Sequence, residues 1–195
     1  MMNSSPESPA PPSAAAAHWT EPRPVESGDI EAIRQVLIAT GAFIEEEIRV
    51  ALELVEDALR RPNVDYIVKV LPTREGVAGY TCYGRAPFTE ATYDLYWIAV
   101  HPVWQGSGAA RQLMAATEAD IRSRGGGLLL VETASKPSYA RTRHFYESLG
   151  YCEAARIRDY YRAGDDKIVY EKRWAADSCT HPGRPSCVSV DQSNK

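Results

Sequence analysis

The run Gln105-Gly106-Ser107-Gly108-Ala109-Ala110-Arg111 sets small residues between an apolar segment, Ile98-Ala99-Val100, and a helix-like stretch. Small residues let backbone approach a ligand closely, and the first N–H groups of a helix lack intrahelical acceptors. Together they form a grip for phosphate. A second reactive group is Glu132, directly after the apolar run Leu128 to Val131. It falls at the carboxyl end of a central strand, where ligands of open α/β sheets bind. A carboxylate there could recognise a cationic amine, accept its proton or anchor a buried arginine.

Two nucleotide-binding classes fail against this loop. A P-loop ends in Gly-Lys-Ser/Thr, whereas Gly108 is followed by Ala109 and Ala110. A dinucleotide loop needs a third glycine for close helix–strand packing, and Arg111 stands there. The phosphate belongs to another kind of ligand.

The elements that must position this loop are readable from periodicity and punctuation. Trp19 to Val25 suits a first strand. Ser27 can cap a helix with Ile30, Ile33 and Leu37 on one face, ended by Gly41. A second helix covers 43–60, with Ile48, Leu52, Val55 and Leu59 in register before Pro62. Tyr66 to Leu71 and Val77 to Tyr83 form a hairpin about the turn Pro72 to Gly76, and Thr92 to Val100 is the next strand. A helix from Gly108 to Arg124 follows, then Leu128 to Thr133 as a central strand and a helix from Ser138 to Leu149 stopped by Gly150. Tyr151 to Tyr160 and Lys167 to Trp174 close the domain around Gly164-Asp165-Asp166. Hairpins alternating with crossover helices predict a mixed sheet covered by helices.

With these elements in place, a family resemblance is evident. Gln105 to Ala110 resembles the Gln/Arg-x-x-Gly-x-Gly/Ala signature of the GNAT superfamily of N-acetyltransferases. Ile98-Ala99-Val100-x-Pro102 resembles that family's fourth strand and turn. Phe145-Tyr146-Glu147-Ser148-Leu149-Gly150-Tyr151 resembles its second signature, aromatic-Tyr-Glu-x-x-Gly-Phe/Tyr. The element order agrees across 19–174. The resemblance implies an α/β fold: a mixed, mostly antiparallel sheet of about seven strands with four helices, splayed between the fourth and fifth strands.

It also implies acetyl-coenzyme A as co-substrate, its pyrophosphate held by Gln105, Gly106, Ser107, Gly108, Ala109, Ala110 and Arg111. The backbone of Ile98, Ala99 and Val100 would hydrogen-bond the pantetheine arm. Acetyl transfer needs a neutral amine, a placed thioester and a proton for the departing thiolate. The resemblance gives that proton to Tyr146. It also points to a carboxylate on the fourth strand as base, which makes Asp94 the rival of Glu132. By strand alternation, Asp94 shares a face with Tyr96, Ile98 and Val100. Lys136, Arg141, Arg143 and His144 surround the fourth helix's start, either as a solvated face or as partners for the coenzyme's 3′-phosphate. Glu45-Glu46-Glu47 suits the dipole at the second helix's start. Tyr160, Tyr161, Asp165 and Asp166 lie at the last hairpin, a frequent acceptor border in this family.

The rest of the composition bounds partners and compartment. A net charge of −4 gives no pull toward nucleic acid or anionic membrane. No leader or membrane span is read, so the cytoplasm is the default. Residues 1–18, rich in Pro, Ser and Ala, predict a disordered N-terminal tail, and 175–195 a flexible C-terminal one, leaving 19–174 as the acetyltransferase domain. Cys82 and Cys152 read as buried reduced thiols, and Cys179, His181 and Cys187 fit no standard zinc spacing. The expected activity is direct acetyl transfer to a primary amine of a small molecule or peptide. A catalytically silent acyl-coenzyme A sensor and an acetyltransferase acting on aminoacyl-tRNA are the readings from other classes. The oligomeric state, a homodimer included, stays open.

Overall fold

Helical spacing of apolar residues builds the first pair of helices. The computed structural model describes residues 19–174. Helix α1, Ile30–Thr40, buries Ile33, Val36 and Leu37 and stops at Gly41, whose φ of 60° is left-handed. Helix α2, Glu45–Arg60, buries Ile48, Ala51, Leu52, Val55 and Ala58. Two of its three leading glutamates are put to structural use: Glu47 accepts the Ile44 amide at 2.9 Å, and Glu46 pairs with Arg49.

The strands are β1 (Arg23–Pro24), β2 (Ile67–Thr73), β3 (Gly76–Arg85), β4 (Thr92–Val100), β5 (Leu128–Ala134), β6 (Cys152–Arg162) and β7 (Asp165–Arg173). They form one sheet in the order β1-β2-β3-β4-β5-β7-β6, antiparallel except for the β4–β5 pair. Helices α3 (Ala109–Ser123) and α4 (Ala140–Ser148) complete the fold. The α1/α2 layer packs on one face, with Val70, Tyr80 and Cys82. On the other face, Met114 and Ile121 of α3 and Tyr146 of α4 pack with Leu129, Val131 and Ile168. The expected α/β architecture is present, with seven strands and four α-helices among the described residues.

Several local expectations change. The first strand shrinks to two residues, with Trp19 adding a single bridge to Thr73. Ser27 does not cap α1; it opens a 3₁₀ turn through Asp29. The buried Asp29 carboxylate accepts the Glu26 amide at 2.8 Å and two Arg23 nitrogens at 2.7 and 2.9 Å. Asp165 and Asp166 belong to β7, leaving Ala163 and Gly164 as the turn. Cys82 is a buried free thiol, but Cys152 is disulfide-bonded, so the expected reduced thiol is corrected there. The terminal tails and the Cys179, His181 and Cys187 group lie outside the described residues. Among the described residues no helix is long and apolar enough to cross a membrane, and no metal-binding cluster occurs.

Asp29 gives a stability prediction. Burial alone would raise its pKa; the Arg23 hydrogen bonds and the Glu26 amide outweigh burial and hold it low. A depressed folded-state pKa stabilises above the ordinary carboxylate range, and that contribution is lost as pH falls through the lowered value. Asp29→Ala is expected to cost about 2 kcal/mol. That lowers Tm by about 4–8 °C at neutral pH. The gap should narrow in melts recorded at progressively lower pH.

The sheet forks where the site must be. β4 and β5 pair from Thr92↔Leu128 to Leu95↔Val131 and then separate. Beyond that point, β4 pairs only with β3 and β5 only with β7. A bulge lies beside the fork: Cys82 pairs Trp97 but Tyr83 pairs Leu95, leaving Tyr96 extra. This corrects the alternation expected for Asp94. Tyr96 and Trp97 both pack toward α1 and α2, whereas Ile98 and Val100 face the opposite layer. Asp94 therefore shares a face with Tyr96 but not with Ile98 or Val100.

Candidate active site

The anion grip forms at the start of α3. Pro102–Trp104 is a 3₁₀ turn, and Gly106 and Gly108 follow at φ 80° and 100°. These left-handed conformations strain any residue bearing a Cβ. The first helical bond runs from Gln112 N to Gly108 O at 3.0 Å. Among the described residues, nothing accepts the amides of Gly106, Gly108, Ala109, Ala110 or Arg111. Open amides at the positive end of a 15-residue helix make an anion cradle.

A cavity of about 400 Å³ lies over this cradle, lined by Gly106, Gly108, Ala110, Arg111, Arg141 and Phe145 among others. The Arg141 guanidinium stands 3.7 Å from where a Cβ on Gly106 would lie. It makes no ion pair among the described residues. Arg143 is different, since it donates to the carbonyls of Ala134 and Lys136 at 2.9 and 3.1 Å. His144 is exposed. Ser107 and Ala109 line neither main cavity: the Ser107 hydroxyl bonds back to Trp104 O, and Ala109 is buried against the Leu71 and Leu113 cluster. The Arg111 side chain reaches Ser148 at 3.2 Å.

A second cavity of about 680 Å³ enters the β4–β5 fork. Both cavities share Ile98, Val100, Gln105, Thr142 and Tyr146. Ala99 lines the fork cavity. Gln105 donates to Val100 O at 3.2 Å, tying the loop to the strand's free edge. Two polar atoms beside the fork, Trp97 Nε1 and Thr133 Oγ1, are buried without a hydrogen-bond partner.

Tyr146 occupies the junction. Its ring packs against Phe145, Tyr151 and Tyr170 with centroids at 5.4, 5.7 and 6.1 Å. The Tyr151 hydroxyl donates to Glu118 at 2.9 Å, and that of Tyr170 to Glu147 at 2.8 Å. The Tyr146 hydroxyl makes no hydrogen bond among the described residues. Burial pushes its pKa up, so the proton stays on at neutral pH.

The two carboxylates occupy different positions. Glu132 lines the fork cavity and pairs with Lys167 at 2.5 Å. Burial opposes the Lys167 charge, but the hydrogen bond and charge of Glu132 and the two neighbouring tyrosines hold its pKa above the usual value. Asp94 lies inside the last paired stretch and lines neither main cavity. Its side chain makes no hydrogen bond or ion pair among the described residues. Burial, then the charge of Glu132, raises its pKa, and Lys167 tempers the rise.

The outer wall of the fork cavity comes from distant segments: Phe43 and Glu47 near the start of α2, Lys136 and Tyr139 before α4, and Tyr161 and Asp165 at the last hairpin. Sequence reasoning missed Lys167, Tyr139 and Phe43. Lys167 reaches Glu132 only through the β5–β7 register, which no local pattern reveals.

Comparisons with known proteins agree with this geometry. A family profile described as an acetyltransferase (GNAT) domain matches residues 65–153. A GNAT-family protein from Desulfovibrio desulfuricans is 44% identical, with 78% of this chain and 97% of that one covered and a TM-score of 0.76. The ribosomal-protein-S18-alanine N-acetyltransferase of Escherichia coli shares the fold at 22% identity, covering 82% and 98%, with a TM-score of 0.64. A Salmonella typhimurium protein solved with its cofactor acetyl-CoA shares it at 19% identity, covering 86% and 100%, with a TM-score of 0.65. No curated protein matches significantly. The 44% identity over nearly the whole of its Desulfovibrio relative settles the matter of kinship: this chain belongs to the GNAT family of acetyltransferases.

Proposed function

We propose that this protein moves an acetyl group from acetyl-CoA to a primary amine by direct transfer in a ternary complex. The observation that carries the reading is the unpartnered Tyr146 hydroxyl at the meeting point of an anion-binding cavity and an acceptor-sized one. Acetyl-CoA supplies the acyl group as an activated thioester. The open amides of the 106–111 loop and Arg141 suit its pyrophosphate, and the unpaired edge of Ile98, Ala99 and Val100 suits its pantetheine amides. Tyr146 then donates its proton to the departing thiolate.

The amine arrives largely as an ammonium and must lose a proton. Glu132, facing the fork cavity, receives and orients it. Asp94, unpartnered and with a raised pKa, takes the proton through water. Cys82 offers no covalent route: it is buried and its thiol is pushed up to about 12 by burial. Initial rates measured with both substrates varied are expected to give intersecting double-reciprocal lines. Parallel lines would contradict direct transfer.

The two carboxylates separate in kinetics. Asp94→Asn is expected to lower kcat about 100-fold or more. It should also remove an acid limb of kcat/KM that lies above the ordinary carboxylate range. Glu132→Gln is expected to act mainly on the amine KM, raising it about tenfold or more through a lost charge-assisted bond. The opposite pattern would exchange the two assignments.

A further inference from the structure

Lys136 stands out because the acetyl-transfer chemistry has no use for it. It lies between β5 and α4, half-buried, and lines the fork cavity. Its backbone is clamped on both sides. The amide donates to Asp165 Oδ1 at 3.1 Å, and Arg143 donates to its carbonyl at 3.1 Å. The ammonium rests 4.7 Å from the centroid of the Tyr139 ring. No carboxylate pairs with it among the described residues. A held cation without a counterion is prepared for an anion, because little ordering entropy remains to be lost on binding.

The coenzyme is a poor source of that anion. Its phosphates suit the Gly106–Arg111 cradle in the other cavity, which Lys136 does not line. The anion must then enter with the acceptor. Glu132, the group for the amine, lies four residues earlier in the same wall. Four residues span at most about 14 Å of extended chain. One small molecule can therefore meet both side chains. Phe43 and Trp97, with rings 6.2 Å apart, add an apolar surface between α2 and β4.

Resting on the acetyltransferase reading, we infer that the acceptor is an amino carboxylate: Glu132 takes its amine and Lys136 its carboxylate. An acceptor carrying a second ammonium in place of the carboxylate would set that charge beside Lys136, and like charges repel. The bond pattern stays that of acetyl transfer, with the amine nitrogen gaining the acyl carbon and the coenzyme sulfur leaving with a proton.

The test uses acceptors paired by the presence or absence of a carboxylate, compared at equal concentrations of neutral amine. Phenylalanine is compared with phenylalaninamide, leucine with leucinamide, and 6-aminohexanoate with hexylamine, beside spermidine and kanamycin. Thiol release from acetyl-CoA is measured for the full chain and for Lys136→Met. The expected result is that the carboxylate member of at least one pair is favoured about tenfold or more, through KM. Lys136→Met should bring that ratio near one, whereas a merely structural role would lower both members equally. Equal use of both members, an unchanged ratio in the variant, or spermidine or kanamycin as the best acceptor would overturn the inference while leaving the acetyltransferase reading intact. Bound coenzyme with no thiol release for any amine tested would overturn both.

Discussion

Tyr146→Phe is expected to reduce kcat by about 10²–10⁴-fold, the range for a lost general acid. The melting temperature should hardly move. The ring contacts with Phe145, Tyr151 and Tyr170 are kept by phenylalanine, and the lost hydroxyl has no protein partner among the described residues. The neighbouring tyrosines give the opposite signature. Tyr151→Phe and Tyr170→Phe each remove a hydrogen bond to a carboxylate, Glu118 or Glu147, and should lower stability while sparing turnover. Steady-state thiol release paired with thermal melts separates the two behaviours. Wild-type turnover in Tyr146→Phe would remove the acid from this position.

Gly108→Val is expected to raise KM for acetyl-CoA about tenfold or more. The argument is conformational rather than steric, because a Cβ at Gly108 would meet nothing within 4 Å. At φ 100°, however, the residue is outside the range that L side chains adopt readily. Holding a left-handed conformation costs roughly 1–2 kcal/mol even for tolerant residues, and more for a β-branched one. The variant relieves that strain by turning the peptide, which swings the amides of Gly108 and Ala109 away from the anion. Tenfold in affinity corresponds to about 1.4 kcal/mol. Calorimetry with coenzyme A reads the loss directly. Unchanged affinity would show that the loop amides do not grip the pyrophosphate.

The legibility of this fold in its sequence follows a physical pattern. Elements set by local spacing were readable: α1 and α2 from their apolar faces, β5 from its unbroken apolar run, and the stops at Gly41 and Gly150. The Gly106–Gly108 turn was readable because few residues tolerate its backbone. Features set by pairing between distant segments were not. The bulge at Tyr96 arises from the β3–β4 register and reverses the face of every residue after it, so strict alternation misplaced Asp94 relative to Ile98 and Val100. Lys167 meets Glu132 only because β7 lies beside β5. The wall of the fork cavity draws Phe43, Tyr139 and Tyr161 from three separate segments, and no spacing along the chain connects them.

Glu132 illustrates how a sequence signal can be right about position and silent about state. Its place at the end of an apolar strand marked it as more than a surface residue. Its exposure of 55% and its pairing with Lys167 appear only in the folded chain. Burial, and after it the charge of Glu132, raises the pKa of Asp94, so removing the Glu132 charge also acts on Asp94. That coupling is why their single substitutions are read for kcat and KM separately.

The most direct measurement of the central claim is thiol release from acetyl-CoA by the purified full chain across an amine panel, with product masses recorded. The expected result is release that depends on the amine and is matched by an equal amount of N-acetylated product. Tight coenzyme binding with no amine-dependent release, and no acetylated product, would contradict it.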